Sequence, residues 1–146
     1  MHLPGFVAYD ELPRYLAFAK AFIHVPISEQ WGLVVNEAMA SGLPVVVSDA
    51  CGCAPELVKG KGSGAVVNAG DELGIAAAMN RLVGMSQIGR REMGRRAKKV
   101  IAEFTPDTFR DQCIDLSQYV LWHPPRKKRS LLATGVMAAF QRYRVR

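Results

Sequence analysis

Two carboxylates, Glu29 and Glu37, flank a glycine, Gly32, that stands where a helix is expected to begin. A helix N-terminus offers unpaired backbone N–H groups and a partial positive charge, so it binds anions without a basic side chain. Because Gly32 has no Cβ, an anion can come close to the backbone. A carboxylate about one and a half turns into the helix can accept hydrogen bonds from ribose hydroxyls. One interpretation of the junction is a nucleotide-sugar site, with the diphosphate at the helix N-terminus and a carboxylate on either side of it.

The plainer alternative is that neither carboxylate takes part in binding. Glu37 would then be a solvated helix residue, and Glu29 would simply favour the positive end of the helix dipole. Isolated surface charges are common in proteins and carry little information by themselves. The two glutamates alone therefore leave both interpretations open.

The elements around the junction follow from the pattern of apolar residues. Residues 21–26 (AFIHVP) predict a strand, residues 32–41 a helix, and residues 43–47 (LPVVV) a buried parallel strand. Gly42 and Pro44 end the helix. Alternating strands and helices predict an α/β fold, a Rossmann-like parallel sheet with flanking helices, in which ligands bind at the carboxyl ends of the strands.

The remaining elements are predicted from their capping residues and apolar spacing. Residues 5–9 predict a first strand, and Asp10 is the expected N-cap of a short helix after it. Pro55 is expected at the first position of another short helix, and residues 64–68 predict a strand. Helices over residues 71–83, 86–104 and 106–122 then follow the sheet.

The positive charge is concentrated at one end of the chain. Seven of the 19 Lys and Arg residues lie in residues 123–146, which contain no Asp or Glu. The other residues carry twelve basic and thirteen acidic side chains, so no nucleic-acid partner is expected. We predict a nucleotide-sugar-binding domain over residues 1–122 and a basic tail over residues 123–146. An amphipathic helix in that tail would lie on an anionic membrane surface through residues 126–146, pack on another domain, or remain poorly ordered.

Other reactive side chains are interpreted as structural. Cys51 and Cys53 are expected to be reduced residues of a loop, since no second cysteine pair completes a metal site. His24 is interpreted as a core or edge histidine rather than a catalyst. The basic helix over residues 86–104 is expected to present a solvated face. No apolar stretch is long enough to span a bilayer and no signal peptide is recognised, so a cytoplasmic protein is expected.

The whole string from residue 28 onward resembles the donor-site motif of retaining GT-B glycosyltransferases (glycosyl transferases of group 1, or family 4), of the glycogen-synthase and bacterial mannosyltransferase kind. The matching residues are Ser28, Glu29, Gln30, Trp31, Gly32, Leu33, Glu37, Ala38, Met39, Ala40, Gly42, Pro44, Val45 and Val46. The resemblance continues through residues 48–58 and covers about residues 4–120, the C-terminal donor-binding half of that fold.

The resemblance implies a role for each matching site residue. Glu29 would be the catalytic residue, which contacts the hexose or stabilises charge near the anomeric carbon. Gly32, Leu33 and Val34 would offer backbone N–H groups to the diphosphate, and Glu37 would bind the ribose hydroxyls. By the same resemblance no metal and no cofactor is needed, because the nucleotide-sugar is the substrate.

Two features of the family have no counterpart in this sequence. One is the acceptor-binding first domain, and the other is a segment of the form Gly-Arg-(Leu/Phe)-x-x-x-Lys, whose cations neutralise the leaving diphosphate. We therefore expect a fragment that needs an N-terminal domain and is weakly active or inactive alone. The expected function is hexose transfer from a UDP-, GDP- or ADP-sugar to an acceptor sugar or lipid-linked glycan in polysaccharide biosynthesis, at the inner face of the membrane.

Two alternatives of different kinds remain open. One is a catalytically inactive nucleotide-binding or interaction module with a membrane-contacting tail. The other is a UDP-sugar epimerase of the non-hydrolysing type, against which the string from Ser28 to Val47 argues.

Overall fold

The computed structural model describes residues 5–123, which form three strands, five α-helices and one π-helical turn. In chain order they are α1 (Leu12–Phe18), β1 (Phe22–His24), α2 (Leu33–Ala40), β2 (Val45–Ser48), the π turn (Ala54–Val58), β3 (Gly64–Val67), α3 (Glu72–Gly84), α4 (Gln87–Ile101) and α5 (Pro106–Trp122). Strands and helices alternate as the apolar pattern predicts, so the α/β class is confirmed.

The three strands form one parallel sheet in the order β1-β2-β3. Val45 lies opposite Phe22 on one side and opposite Gly64 on the other, which fixes the register of both pairs. All four residues of β2 are buried. Central parallel strands are covered on both faces, which explains why the run LPVVV is apolar without alternation. The prediction of a buried parallel strand there is confirmed.

The hydrophobic core joins α2 to the central strand. Val35, Ala38 and Met39 are the buried residues of α2. They pack in one cluster with Val45 and Val47 of β2. The cluster also contains buried residues of α1, the π turn and α4, namely Leu16, Leu57, Val58 and Ala97. Because this core fixes α2 on the sheet, the N-terminus of α2 is held at the carboxyl end of β1.

The prediction of a strand over residues 5–9 is wrong, as is the assignment of Asp10 as an N-cap. The N-cap of α1 is Glu11, whose side chain makes no capping hydrogen bond. The backbone N–H groups of Glu11 and Leu12 donate to the carbonyls of Ala8 and Tyr9. The segment before α1 therefore forms turns, and its backbone hydrogen bonds are made within these turns instead of to a neighbouring strand.

The short helix predicted at Pro55 is present, but it is a π-helical turn rather than an α-helix. The N–H of Lys59 donates to the carbonyl of Ala54 at 2.9 Å, five residues back along the chain. Pro55 lies in the first turn, where its missing N–H leaves no hydrogen bond unmade. The residues of the π turn that face the core, Leu57 and Val58, are buried.

α3 and α4 begin close to the residues where the sequence predicts them, and a side chain caps each one. The side chain of Asp71 accepts a hydrogen bond from the N–H of Gly74, and that of Ser86 accepts one from Gly89. Part of the positive charge of α4 is neutralised by a carboxylate of the same helix, because Glu92 pairs with Arg95 and Arg96 at 2.8 and 3.1 Å. These two arginines lower the pKa of Glu92 to about 2. This exposed network agrees with the predicted solvated face.

The chain divides into two compact units after Thr105. The second unit begins with α5, and none of the residues of α5 is buried. The boundary predicted at residue 122 stays a prediction. The predicted amphipathic helix and membrane contact fall in residues 124–146 and lie outside the described residues. Within residues 5–123, none of the helices combines the length and apolar character required to cross a membrane.

Candidate functional site

The loop after β1 is joined to the loop after β2 by backbone hydrogen bonds. The N–H of Glu29 donates to the carbonyl of Ala50 at 3.3 Å, and the N–H of Gly52 donates to Glu29 at 3.1 Å. A further bond runs from the N–H of Cys53 to the carbonyl of Trp31 at 3.2 Å. This short ladder extends the pairing of β1 with β2 beyond the strands and places Glu29 at the carboxyl end of the sheet.

Gly32 is the N-cap of α2 and has a left-handed backbone, with φ of 93° and ψ of 62°. Residues with a Cβ rarely adopt this conformation, so the position favours glycine. A Cβ there would lie 3.4 Å from Cγ of Glu29 and 3.7 Å from Sγ of Cys53. Gly32 therefore turns the chain sharply from the Glu29 loop into α2, directly beside the Glu29 side chain.

The first turn of α2 is open to solvent on its outer side. The side chains of Leu33 and Val34 are 69% and 38% exposed, although both are apolar. Leu33 and Val34 are the first residues of the helix, where N–H groups have no partner within the helix. The N–H of Val35 already bonds to the carbonyl of Gly32 at 2.8 Å. The open turn therefore offers donors and a positive dipole end to an anion.

The Glu29 carboxylate is held close to this turn. One oxygen, Oε1, accepts a hydrogen bond from the N–H of Trp31 at 3.3 Å. The other, Oε2, lies 3.6 Å from Nε2 of His24. The side chain is about one third exposed, so a ligand can still reach it.

Glu37 lies in the middle of α2, and its carboxylate contacts a residue that comes much earlier in the chain. The hydroxyl of Tyr9 donates to Oε1 of Glu37 at 3.1 Å. This hydrogen bond, together with the negative charge of Glu37, raises the pKa of Tyr9 above its ordinary value. Glu37 also borders a cavity of about 230 Å³ that is lined by Tyr9, Leu12, Pro13, Leu16 and Ser41.

Trp31 ties the loop to the helix that follows it. Its ring nitrogen donates to Oδ1 of Asn36 at 3.2 Å. Its ring packs at an angle against that of Phe104, with 6.5 Å between the centroids. The half-buried Trp31 therefore anchors the segment between Glu29 and Gly32.

Cys51 and Cys53, predicted as small loop residues, are both buried. Burial raises the pKa of the Cys53 thiol to about 11, so the thiol stays protonated at neutral pH. Within the part of the chain that the structure describes, no three His, Cys, Asp or Glu residues are grouped closely enough to hold a metal ion.

A second cavity, of about 540 Å³, lies beside β3 and the π turn and is lined by residues that include Asp49, Lys59 and Asn68. The carboxylate of Asp49 accepts hydrogen bonds from Nδ2 of Asn68 at 3.1 Å and from the N–H of Ala69 at 3.3 Å. None of the five predicted site residues lines this cavity.

The structure brings four of the five predicted site residues together and places the carboxylate of the fifth elsewhere. Glu29 and Gly32 are in direct proximity, and Leu33 and Val34 continue from them along the first turn of α2. Glu37 lies on the same helix, but its carboxylate contacts Tyr9 rather than the loop.

Sequence reasoning missed two neighbours of the glutamates, Tyr9 and His24. Tyr9 lies in the segment predicted as a strand, and His24 is predicted as a core or edge histidine. The only sequence signal was the position of His24 at the end of the strand that leads into Glu29.

Comparisons with known proteins agree with this architecture. The family model described as "Glycosyl transferases group 1" matches residues 1–100. The N-acetyl-alpha-D-glucosaminyl L-malate synthase of Bacillus anthracis is 31% identical over 110 residues, which are 75% of this chain and 27% of that protein.

Solved structures show the same fold at low sequence identity. The alpha,alpha-trehalose-phosphate synthase (UDP-forming) of Burkholderia vietnamiensis matches 81% of this chain and 27% of its own, with a TM-score of 0.67 and 21% identity. The sucrose-phosphate synthase of Thermosynechococcus elongatus matches 82% of this chain and 30% of its own, with a TM-score of 0.67 and 24% identity.

The chain thus spans about a quarter to a third of the length of the proteins it matches. Its parallel sheet with flanking helices matches the Rossmann-like fold of these GT-B neighbours. With the family model covering more than half of the residues, the chain belongs to the glycosyl transferases of group 1.

Proposed function

We propose that this chain binds the donor in the transfer of a hexose from a nucleotide-diphosphate sugar, with retention of configuration at the anomeric carbon. The observation that carries the proposal is the left-handed Gly32, which starts the open first turn of α2 beside the Glu29 carboxylate. Backbone donors, a dipole end and a carboxylate then meet at the carboxyl end of a parallel sheet, where ligands of such sheets bind.

Each site residue has a part in this proposal. The N–H groups of Gly32, Leu33 and Val34 hold the diphosphate, and Glu37 accepts hydrogen bonds from the ribose hydroxyls. Glu29 faces the hexose and stabilises positive charge that develops near its anomeric carbon in the transition state. Support comes from family membership and from one solved neighbour, a trehalose-6-phosphate protein of E. coli described as bound with UDP-2-fluoro glucose, at 22% identity.

The complete reaction needs parts that residues 5–123 do not contain. A departing nucleoside diphosphate requires cations, and the ion pairs of these residues bring no Lys or Arg to Glu29. In our proposal an N-terminal, acceptor-binding domain supplies them, together with the site for a sugar or lipid-linked glycan. The reaction would belong to polysaccharide biosynthesis in the cytoplasm, at the inner face of the membrane.

The missing cations also favour a second candidate function, a catalytically inactive nucleotide-binding or interaction module. The two candidates differ in one respect that can be measured. Fusing the chain to the acceptor-binding domain of a relative, which provides the basic phosphate clamp, restores hexose transfer only if the chain is the donor half of an enzyme.

The donor site itself is tested by an amide NMR titration of the 146-residue chain with UDP, GDP and ADP. We expect one of these nucleotides to shift the amide signals of Gly32, Leu33 and Val34. Glu37→Ala should weaken its binding about tenfold or more, because the variant loses hydrogen bonds from the ribose to a charged acceptor.

Glu72→Ala is the matched control, since Glu72 is also a helix-borne glutamate but lies in the first turn of α3. It should leave the affinity unchanged. A folded chain in which none of the nucleotides perturbs the first turn of α2 would contradict the donor-site proposal. Unaltered binding by Glu37→Ala would contradict the ribose role alone.

A further inference from the structure

His24 ends β1 and directs one ring nitrogen into the protein. Its side chain is 25% exposed. The Nε2 atom itself is buried and is the one buried side-chain nitrogen or oxygen in residues 5–123 that has no hydrogen-bond partner. A buried polar atom without a partner costs free energy, so such an atom calls for a physical explanation.

The nearest charged group to this nitrogen is the Glu29 carboxylate. Nε2 of His24 and Oε2 of Glu29 are 3.6 Å apart, which is within ion-pair range and slightly beyond a normal hydrogen bond. The other oxygen of Glu29 is already engaged by the N–H of Trp31.

The imidazole packs on a ring of its own strand, and the backbone of His24 is bonded to the loop after β2. Its ring stacks on that of Phe22, with centroids 6.2 Å apart and an angle of 23° between the planes. The backbone carbonyl of His24 accepts a weak hydrogen bond from the buried Cys51 thiol. Phe22 and His24 both belong to β1, so the ring lies against a residue of the sheet.

We propose that His24 is a positioning residue that donates its Nε2–H to Oε2 of Glu29 and fixes the carboxylate in the orientation in which it faces the donor sugar. This inference rests on the proposed function of Glu29. Bonds to both oxygens of Glu29 restrict the rotation of its side chain, so less ordering remains to be done when a sugar binds. His24 touches neither the sugar nor the phosphates in this proposal and acts through Glu29 alone.

The contact is tested first without any ligand, by long-range ¹H–¹⁵N spectra of the histidine rings at neutral pH. The signal of His24 is identified by its disappearance in His24→Phe. We expect a proton on Nε2, and a shift of that signal in Glu29→Gln that is absent in the control Glu56→Gln. An unprotonated Nε2, or a His24 ring signal that does not shift in Glu29→Gln, would overturn the proposal.

The consequence for binding is tested with the wild type and two His24 variants, each measured with the nucleotides and with their glucose derivatives. UDP, GDP and ADP are compared with UDP-glucose, GDP-glucose and ADP-glucose, and the gain in affinity from the glucose is measured. His24→Phe keeps a ring but loses the donor, so we expect the glucose-dependent gain to fall about five- to tenfold, less than for a direct hydrogen bond to a charged group because His24 acts only through Glu29. His24→Gln, whose amide nitrogen can take the place of Nε2, should restore most of it.

The affinity for the nucleotide alone separates this role from a merely structural one. It should stay within twofold in both His24 variants, whereas a damaged fold would weaken all ligands together. Equal glucose-dependent gains in the wild type and in His24→Phe would refute the positioning role.

Ligand binding by the wild type tests the proposed function, whereas the ring spectrum tests the contact between His24 and Glu29. If the wild type binds none of the nucleotides, or gains nothing from the glucose, the donor assignment or the role of Glu29 fails. The ring spectrum then still decides whether His24 donates to Glu29.

Discussion

The two carboxylates that flank the start of α2 lie in surroundings of very different rigidity. Glu29 belongs to a loop whose backbone is bonded to the neighbouring loop, and its side chain is engaged by Trp31 and faced by His24. Within residues 5–123, the Glu37 carboxylate has one hydrogen-bond partner, the exposed hydroxyl of Tyr9. The comparison teaches that position on a regular helix does not by itself order a side chain, whereas a loop cross-linked to a sheet can.

This difference fits the two roles that we propose. A group near the reacting carbon must be held within fractions of an ångström, and pre-organisation is what a cross-linked loop provides. A group that binds ribose hydroxyls can exchange one hydrogen-bond partner for another. Tyr9 would then hold Glu37 in the free protein and share it with, or yield it to, the ribose.

The largest effect is expected from Gly52→Ala, which disturbs the hydrogen-bonded loops that hold Glu29. A Cβ at this position would lie 1.8 Å from the carbonyl oxygen of Gln30, so the two loops would have to separate. We expect a loss of about 3 kcal/mol in the free energy of unfolding, measured by chemical denaturation, because the backbone has no room to adjust. Glucose-dependent binding should be lost with it.

Gly84→Ala is the control for Gly52→Ala, since nothing lies within 4 Å of a Cβ at the end of α3. It should be neutral or stabilising by up to about 1 kcal/mol. If Gly52→Ala were as harmless as Gly84→Ala, the Glu29 loop would be less rigid than the ladder of hydrogen bonds implies.

A smaller effect is expected from Gly32→Ala. The neighbours of a Cβ at this position are 3.4 Å away or more, so space is available and the cost comes from the left-handed backbone alone. We expect a loss of about 1–2 kcal/mol in the free energy of unfolding. A loss as large as that of Gly52→Ala would show that crowding, not backbone conformation, selects glycine at the start of α2.

The smallest effect is expected from Glu37→Gln, which changes the pKa of Tyr9. Hydrogen bonding to Glu37, together with its charge, raises the pKa of Tyr9 above 10.0, so removing the charge should lower that pKa towards its ordinary value. The measurement is an NMR titration of the Tyr9 ring signals. An unchanged titration would show that the Tyr9–Glu37 contact is not formed in solution.

The sign of the accompanying pH dependence follows from the raised pKa. The contact contributes stability that is fully present below the pKa of an unfolded tyrosine and is lost as the pH rises through the higher pKa of the folded state. The difference in thermal stability between the wild type and Glu37→Gln should therefore shrink in alkaline solution.

Local sequence predicted most of the elements because their signals are local. The apolar run LPVVV marks a strand buried on both faces, and Asp71 and Ser86 mark the starts of two helices through their own side chains. The site at the start of α2 was predicted for the same reason, since a glycine before a helical pattern is visible in a short stretch of sequence. The family resemblance assigned the roles, which the structure leaves as proposals.

The failures occurred where distant residues decide the outcome. Residues 5–9 have the composition of a strand, yet their backbone groups are satisfied in the turns that lead into α1. The contact between Tyr9 and Glu37 joins residues 28 positions apart. The hydroxyl of Ser48 reaches the carbonyl of Pro26, 22 positions away, and ties the ends of β1 and β2 together.

The sequence by itself determined the α/β class, the buried central strand and the glycine at the start of α2, because strand pattern, helix caps and glycine conformation depend on neighbouring residues. Only the tertiary structure decided that Glu29 is cross-linked to the loop after β2, that His24 faces its carboxylate, and that Tyr9 holds Glu37. Those contacts exist because parallel strands bring chain segments together that are remote in sequence, and no local pattern specifies which side chains meet there.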